Sequence, residues 1–204
     1  MKKTFLLVAT ALFLCLPATA QNTPAWEAFG GYSYARVDLT NLTHVNAHGW
    51  SASVTENLNS WFGGTLETSG YYATPTFIFD GTIYHPQSSV YTALYGPRFS
   101  YHGSKAFTPF GYVLIGAAFL RGSQLGYSAS NIAFAATPGG GLDVRVSNRA
   151  AIRFQGDYAY TDFRSFETMF DPSTGITHLV LTGPRMRQNN FRVSAGIVLR
   201  FGQK

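Results

Sequence analysis

The stretch Phe191-Arg192-Val193-Ser194-Ala195-Gly196-Ile197-Val198-Leu199-Arg200-Phe201 decides the fold. Its odd positions, Phe191, Val193, Ala195, Ile197, Leu199 and Phe201, are all apolar. Its even positions, Arg192, Ser194, Gly196, Val198 and Arg200, are charged, polar or small apart from Val198. A period of two belongs to a strand and not to a helix. A soluble sheet also alternates, but two arginines on its core face would be out of place. Turning the apolar face to lipid and the arginine face into a barrel lumen accounts for both halves of the pattern.

The amino terminus and the composition support export and a wall in lipid. Lys2 and Lys3 precede an apolar run from Phe5 to Leu16, and Ala18-Thr19-Ala20 is an A-x-A cleavage site. Residues 1–20 thus read as a secretory signal peptide, with residues 21–204 as one mature domain. Cys15, the one cysteine of the chain, lies in that leader. The mature domain then has no disulfide, thiolate metal site or cysteine nucleophile. Charged residues are 12% and aromatics 16%, with 21 glycines. A soluble domain carries about a quarter charged residues, whereas a lipid-facing surface rimmed by aromatics needs few. Lys and Arg total 15 against 10 Asp and Glu, two of the lysines fall in the leader, and no basic run exists. Nucleic acid is therefore not an expected partner.

Alternation marks out further strands: about Trp26 to Arg36, with Phe29 breaking the pattern; His48 to Asn57; Trp61 to Tyr71; Ser88 to Tyr101; Thr108 to Leu120, apolar on both faces so that its facing is undecided; Ile132 to Ser147; and Ala150 to Phe163. With the closing strand the count is eight. The linkers alternate: long around Asp38 to Asn46, Tyr72 to Gln87, Arg121 to Asn131 and Arg164 to Gln188, short at Asn57 to Ser60, His102 to Ala106 and Ser147 to Arg149. Outer-membrane barrels have short periplasmic turns and longer outside loops. The chain is thus expected to be all-β, an eight-stranded antiparallel up-and-down transmembrane β-barrel with both ends in the periplasm. Pro97 and Pro138 fall inside strands, where a missing N–H requires a bulge or break.

Several motifs carry a family likeness: Phe29-Gly30-Gly31-Tyr32-Ser33-Tyr34, Gly96-Pro97-Arg98-Phe99, Pro109-Phe110-Gly111-Tyr112, the glycine run Gly139 to Gly141 leading to Arg145, Asp157-Tyr158-Ala159-Tyr160-Thr161, and Asn190 to Ile197. On these the chain resembles the small outer-membrane β-barrels of the OmpA/OmpX type, as a single-domain member, over nearly all its mature length. The resemblance implies an outer-membrane protein of a Gram-negative-type bacterium. It implies contact with outer-membrane lipids and lipopolysaccharide, and assembly by the barrel-assembly machinery, which reads a terminal aromatic; in this chain Gly202-Gln203-Lys204 follow the candidate Phe201. It says little about activity, because one fold hosts many tasks.

The expected lumen set is Glu27, Glu67, Arg98, Asp143, Arg145, Arg153, Asp157, Arg192 and Arg200. Opposite charges in so narrow a barrel should pair and fill it; an ion path is the alternative. Trp26, Trp61, Tyr71, Tyr72 and Phe201 are expected as interface aromatics. His44 and His48 share a strand face but lack a third metal ligand. His102 and Ser104 suggest a dyad of the kind used by lipid A deacylases, yet they fall in a turn with no carboxylate nearby. No P-loop, dinucleotide fingerprint or metalloprotease motif is present. The expectation is a non-enzymatic protein without cofactor or metal, whose long loops make surface, structural or adhesive contacts; the alternatives are a lipid-modifying enzyme and a narrow pore.

Overall fold

The structure is a computed structural model that describes residues 23–38, 44–73, 77–79, 82–84, 87–104, 106–124, 127–164, 167–171, 176–180 and 185–202. The leader, with its cleavage site, lies outside the described residues. Among the described residues twelve strands occur in chain order: β1 Trp26–Asp38, β2 His44–Asn57, β3 Phe62–Ala73, β4 Phe77–Phe79, β5 Thr82–Tyr84, β6 Gln87–Ser100, β7 Phe107–Gln124, β8 Tyr127–Arg145, β9 Ala150–Arg164, β10 Glu167–Asp171, β11 Ile176–Val180 and β12 Arg185–Phe201. Eight of them close a barrel in the order β1-β12-β9-β8-β7-β6-β3-β2, with every neighbouring pair antiparallel. The described residues contain no helix. The seam pairs Trp26 with Phe201 and Gly31 with Gly196.

From Arg187 onward the odd positions of β12 are exposed and its even positions are buried or half-buried, as the alternation requires. The same rule places Phe29. It does not break the alternation of β1; it points inward with Glu27 and Ser33 and is buried. On β7 the even positions Thr108, Phe110, Tyr112, Leu114 and Ala118 face in, while Phe107, Val113, Ile115 and Phe119 face out. Sequence could not decide this strand because an interior holding Phe110, Tyr112 and Leu114 is as apolar there as the wall.

The short turns are built by side-chain oxygens. Asn59 Oδ1 accepts from the amides of Trp61 and Phe62, Ser104 Oγ from those of Ala106 and Phe107, and Ser147 Oγ from that of Arg149. Such local bonds replace ladder bonds where a strand must reverse. Beside them, Asn57 Nδ2 donates to the Pro24 carbonyl and ties the start of β1 across this turn end.

The opposite end differs from expectation. The linker predicted after the fifth strand is mostly strand, with β7 and β8 paired as far as Gln124 with Tyr127, and the one predicted after the first is shortened by β2, which begins at His44. The predicted loops 72–87 and 164–188 each hold a two-stranded hairpin, β4–β5 and β10–β11. A strand needs only about 9–11 residues to cross a bilayer, whereas β7 has 18 and β8 has 19. The sequence from Arg121 to Asn131 carries no sustained apolar alternation, the feature that reveals strands.

Pro97 and Pro138 both sit at breaks. The β6–β7 ladder skips Gly96 and Pro97, and the β8–β9 ladder skips Thr137 and Pro138, with register unchanged on either side. Each proline keeps its pairing on its other flank, to Gly64 and Val113.

Candidate functional site in the barrel interior

The interior holds two ion clusters. Nearer the turn end, Glu27 on β1 and Asp143 on β8 meet Arg98, Arg153 and Arg200 on β6, β9 and β12. Arg153 is the hub. Its Nε donates to Asp143 Oδ1 at 2.7 Å, and its Nη2 donates to Asp143 Oδ2 and Glu27 Oε2 at 2.9 Å each. Arg98 Nη1 lies 3.0 Å from Glu27 Oε2 and also donates to Thr55 Oγ1 at 3.2 Å. Arg200 is held at longer range, 3.5 Å from Glu27 and 3.4 Å from Asp143, and its Nε and Nη1 have no hydrogen-bond partner. The 3.5 Å approach is an ion-pair distance without hydrogen-bond alignment.

Further along the barrel, Arg192 bridges Asp157 at 2.5 Å and Glu67 at 2.8 Å. The Tyr112 hydroxyl donates to Asp157 Oδ2 at 2.9 Å, Gln155 Nε2 donates to Glu67 Oε2 at 3.4 Å, and Arg192 Nη1 donates to Ser69 Oγ at 3.1 Å. One cluster has three arginines for two carboxylates and the other has one for two, so the eight charges balance. With Thr55 on β2 and Tyr112 on β7, every barrel strand contributes a side chain. All of these ionic side chains are buried.

Apolar faces cover the guanidinium planes. Arg98 lies 4.0 Å and Arg153 4.6 Å from the Phe110 centroid, Arg153 is 5.1 Å from Phe29, and Arg192 is 5.6 Å from Tyr71. Desolvated cation–π contacts of this kind contribute up to about 2 kcal/mol.

Two expected placements are corrected. Tyr71 is not a rim aromatic: it points inward, is buried, and its hydroxyl bonds Ser33 at 2.9 Å. It sits at an odd position of β3, the face of Glu67 and Ser69, so parity outweighs its place near the strand end. Arg145 faces inward but sits at the last residue of β8, half-buried, and makes no ion pair among the described residues. The other interface residues are exposed on the outer wall: Trp26, Trp61 and Phe201 at the turn end and Tyr72 toward the hairpin end. Trp61 stacks on Phe99, and Tyr72 meets Tyr91 edge-on. Sequence reading missed Phe29, Thr55, Phe110, Tyr112 and Gln155 as partners of the charges. For Phe29 the signal was its odd position on β1.

The remaining candidates are engaged otherwise. His102 Nδ1 donates to the Ser60 carbonyl at 2.7 Å, while Ser104 Oγ accepts the turn amides. Burial pushes the His102 imidazole below its ordinary value. His48 faces outward, with Nδ1 on the Tyr32 hydroxyl and its ring edge-on to Tyr34; the His44 side chain lies outside the described residues. Among the described residues no three metal-ligating side chains cluster.

No protein-family model matches the chain, and no curated protein matches it in sequence. Its backbone is similar to that of Neisserial surface protein A, at 9% identity over 87% of this chain and 97% of that one, with a TM-score of 0.63. It is similar to the outer membrane protein OprG of Pseudomonas aeruginosa, at 8% identity over 89% and 98% of the two chains, with a TM-score of 0.54. It is also similar to Ail, the attachment invasion locus protein of Yersinia pestis, solved with the heparin analogue sucrose octasulfate: 15% identity, 86% and 99% coverage, TM-score 0.53. The chain has the fold of the small eight-stranded outer-membrane barrels. At these identities the likeness is one of fold.

Proposed function

We propose that the chain is a non-enzymatic integral outer-membrane protein of a Gram-negative-type bacterium, exported behind residues 1–20, in which a closed barrel carries contact surfaces outward. The observation that carries this reading is the inverted wall. Outward positions such as Ile115, Phe134, Phe154 and Ile197 are exposed and apolar, while inward positions carry a balanced set of buried charges. Lipid solvates such a wall, and closure leaves no backbone edge unsatisfied in it.

The ion clusters, their aromatic covers and the hydroxyls between them act as a plug, in keeping with an eight-stranded lumen that side chains can fill. The end with short turns and both strand termini is assigned to the periplasm, and the hairpin end to the outside. Hairpins β4–β5 and β10–β11, within segments 72–87 and 164–188, are the contact elements on a rigid scaffold. The name of Ail, an attachment protein, is of a kind with such a role. A non-enzymatic task accords with the turn bonds that occupy Ser104 and His102.

The test combines cell fractionation with planar-bilayer recording. The protein is expected in the outer-membrane fraction, to migrate differently with and without boiling in detergent, and to give no conductance steps. Discrete steps would overturn the plug. Recovery from the soluble periplasm would overturn the membrane assignment. A lipid A mass spectrum that changes on deletion would favour the lipid-modifying enzyme instead.

A further inference from the structure

The turn end of the lumen carries a charge that its own residues do not cancel. Glu27 and Asp143 meet Arg98, Arg153 and Arg200 there, three cations for two anions. The compensating carboxylate belongs to the other cluster, the one built on Arg192. Arg192 and Arg200 both stand on β12, about 27 Å of strand apart. A surplus ion inside a lumen girdled by lipid is costly unless it is neutralised locally.

The hydrogen bonding carries the same mark. Among the described residues, every buried side-chain nitrogen without a hydrogen-bond partner belongs to Arg98, Arg145, Arg200 or His102. They are Arg98 Nε, Arg145 Nε, Arg200 Nε and Nη1, and His102 Nε2. Arg98, Arg200 and His102 are only 2%, 5% and 8% exposed, and buried donors are normally satisfied. The two buried guanidinium heads occupy one place. Arg98 Nη2 and Arg200 Nη2 each lie 3.4 Å from the same oxygen, Asp143 Oδ2, so they are within twice that distance of each other. Both heads also reach Glu27. The His102 ring stands within electrostatic reach of Arg98, Arg200 and Glu27, on the turn side of them. Thr23 and Pro24 lie buried at the same end, where Asn57 Nδ2 holds the Pro24 carbonyl.

We propose that the turn end of the lumen binds one small monovalent anion, chloride or an ion of its size, between the heads of Arg98 and Arg200. One surplus positive charge sets the valence, since a divalent anion would reverse the imbalance instead of removing it. Enclosure by the barrel wall and the Thr23–Pro24 segment sets the size. Arg98 and Arg200 repel each other across the carboxylates they share, and the anion relieves that repulsion while accepting from donors that Glu27 and Asp143 leave over. The site deepens the plug reading and rests on it: the anion completes the charge balance of the turn-end cluster.

The experiment measures urea midpoints of the mature barrel refolded in micelles of an uncharged detergent. Chloride is exchanged for gluconate, an anion too large for the site, at one ionic strength. The wild-type midpoint should rise by about 0.5–1.4 M per tenfold increase in chloride above half-filling and stay flat in gluconate. Arg200→Met should abolish the rise. Arg149→Met, which removes an exposed arginine from the neighbouring turn, should keep it. Crystals grown with bromide should show an anomalous-scattering peak beside Arg98 and Arg200. A wild-type midpoint as flat in chloride as in gluconate, a rise that Arg200→Met retains, or bromide peaks only elsewhere overturns the site. If planar bilayers then show no conductance steps, the plug stands without the anion; steps would overturn the plug and the site together.

Discussion

Arg153→Met tests whether the interior ions act as a braced unit or as filler. The substitution keeps an unbranched apolar stem and removes three hydrogen bonds of 2.7 to 2.9 Å to Asp143 and Glu27. It also removes the stacking on Phe110 and Phe29. Asp143 would keep only Arg98 and Arg200, both at 3.4 Å, and Glu27 would keep Arg98 at 3.0 Å and Arg200 at 3.5 Å. Breaking a buried pair costs about 3–5 kcal/mol, most of it from the charge left behind. The two remaining arginines put the expectation near the lower bound, about 3 kcal/mol, or roughly 150-fold in the folding equilibrium. Arg200→Met removes contacts no shorter than 3.4 Å from a guanidinium with two unpartnered nitrogens. It is expected to cost about 1 kcal/mol. Urea unfolding in micelles, followed by loss of the gel shift, measures both. Arg153→Met should move the midpoint by about 1–3 M and Arg200→Met clearly less. Pairing Arg153→Met with Asp143→Asn should cost less than the sum of the two, because the orphaned charge goes with its partner. An Arg200→Met variant as damaging as Arg153→Met, or strict additivity in the pair, would refute the hub.

Further expectations use the same unfolding assay. Gly196→Ala places a Cβ against the Gly30 carbonyl and the Gly31 Cα at the seam and should cost about 1–3 kcal/mol; Gly30→Ala meets nothing within 4 Å and should be neutral or slightly stabilising. Tyr71→Phe should cost about 1 kcal/mol by removing the bond to Ser33, while Tyr72→Phe on the outer wall should leave the midpoint unchanged. His102 is depressed by burial from its ordinary value of 6.5, so the unfolded chain takes up the proton first. Its contribution is therefore present above about pH 6.5 and declines as pH falls from there toward the lower folded value. Against His102→Gln, the wild type should lose midpoint as pH falls below about 6.5, and parallel curves would contradict the buried neutral imidazole.

The wall was legible in the chain because lipid imposes one rule on every residue that crosses it. Phe191 to Phe201 obeys that rule at each odd position, and the tight turns stood out through Asn59, Ser104 and Ser147. Eight strands and most of the inward charges followed from parity, and their up-and-down order from the alternation of short and long linkers. The interior of β7 and the ends of the strands did not. Phe110 and Tyr112 are as apolar as the residues facing lipid, so composition cannot separate the two faces of that strand. The hairpin extensions at Arg121 to Gln124 and Tyr127 to Asn131 carry no sustained apolar alternation to read.

Sequence by itself therefore determined which side chains share the lumen, since the two-residue period is a property of the backbone. Only the tertiary structure decided which of them meet. Arg153 reaches Glu27 across 126 positions of sequence and Arg192 reaches Glu67 across 125. Those partners are set by shear and seam register, which closure of the whole barrel fixes and no local pattern encodes. Parity alone puts Tyr71 on the lumen face; closure decides that its hydroxyl meets Ser33 on β1 and its ring meets Arg192 on β12.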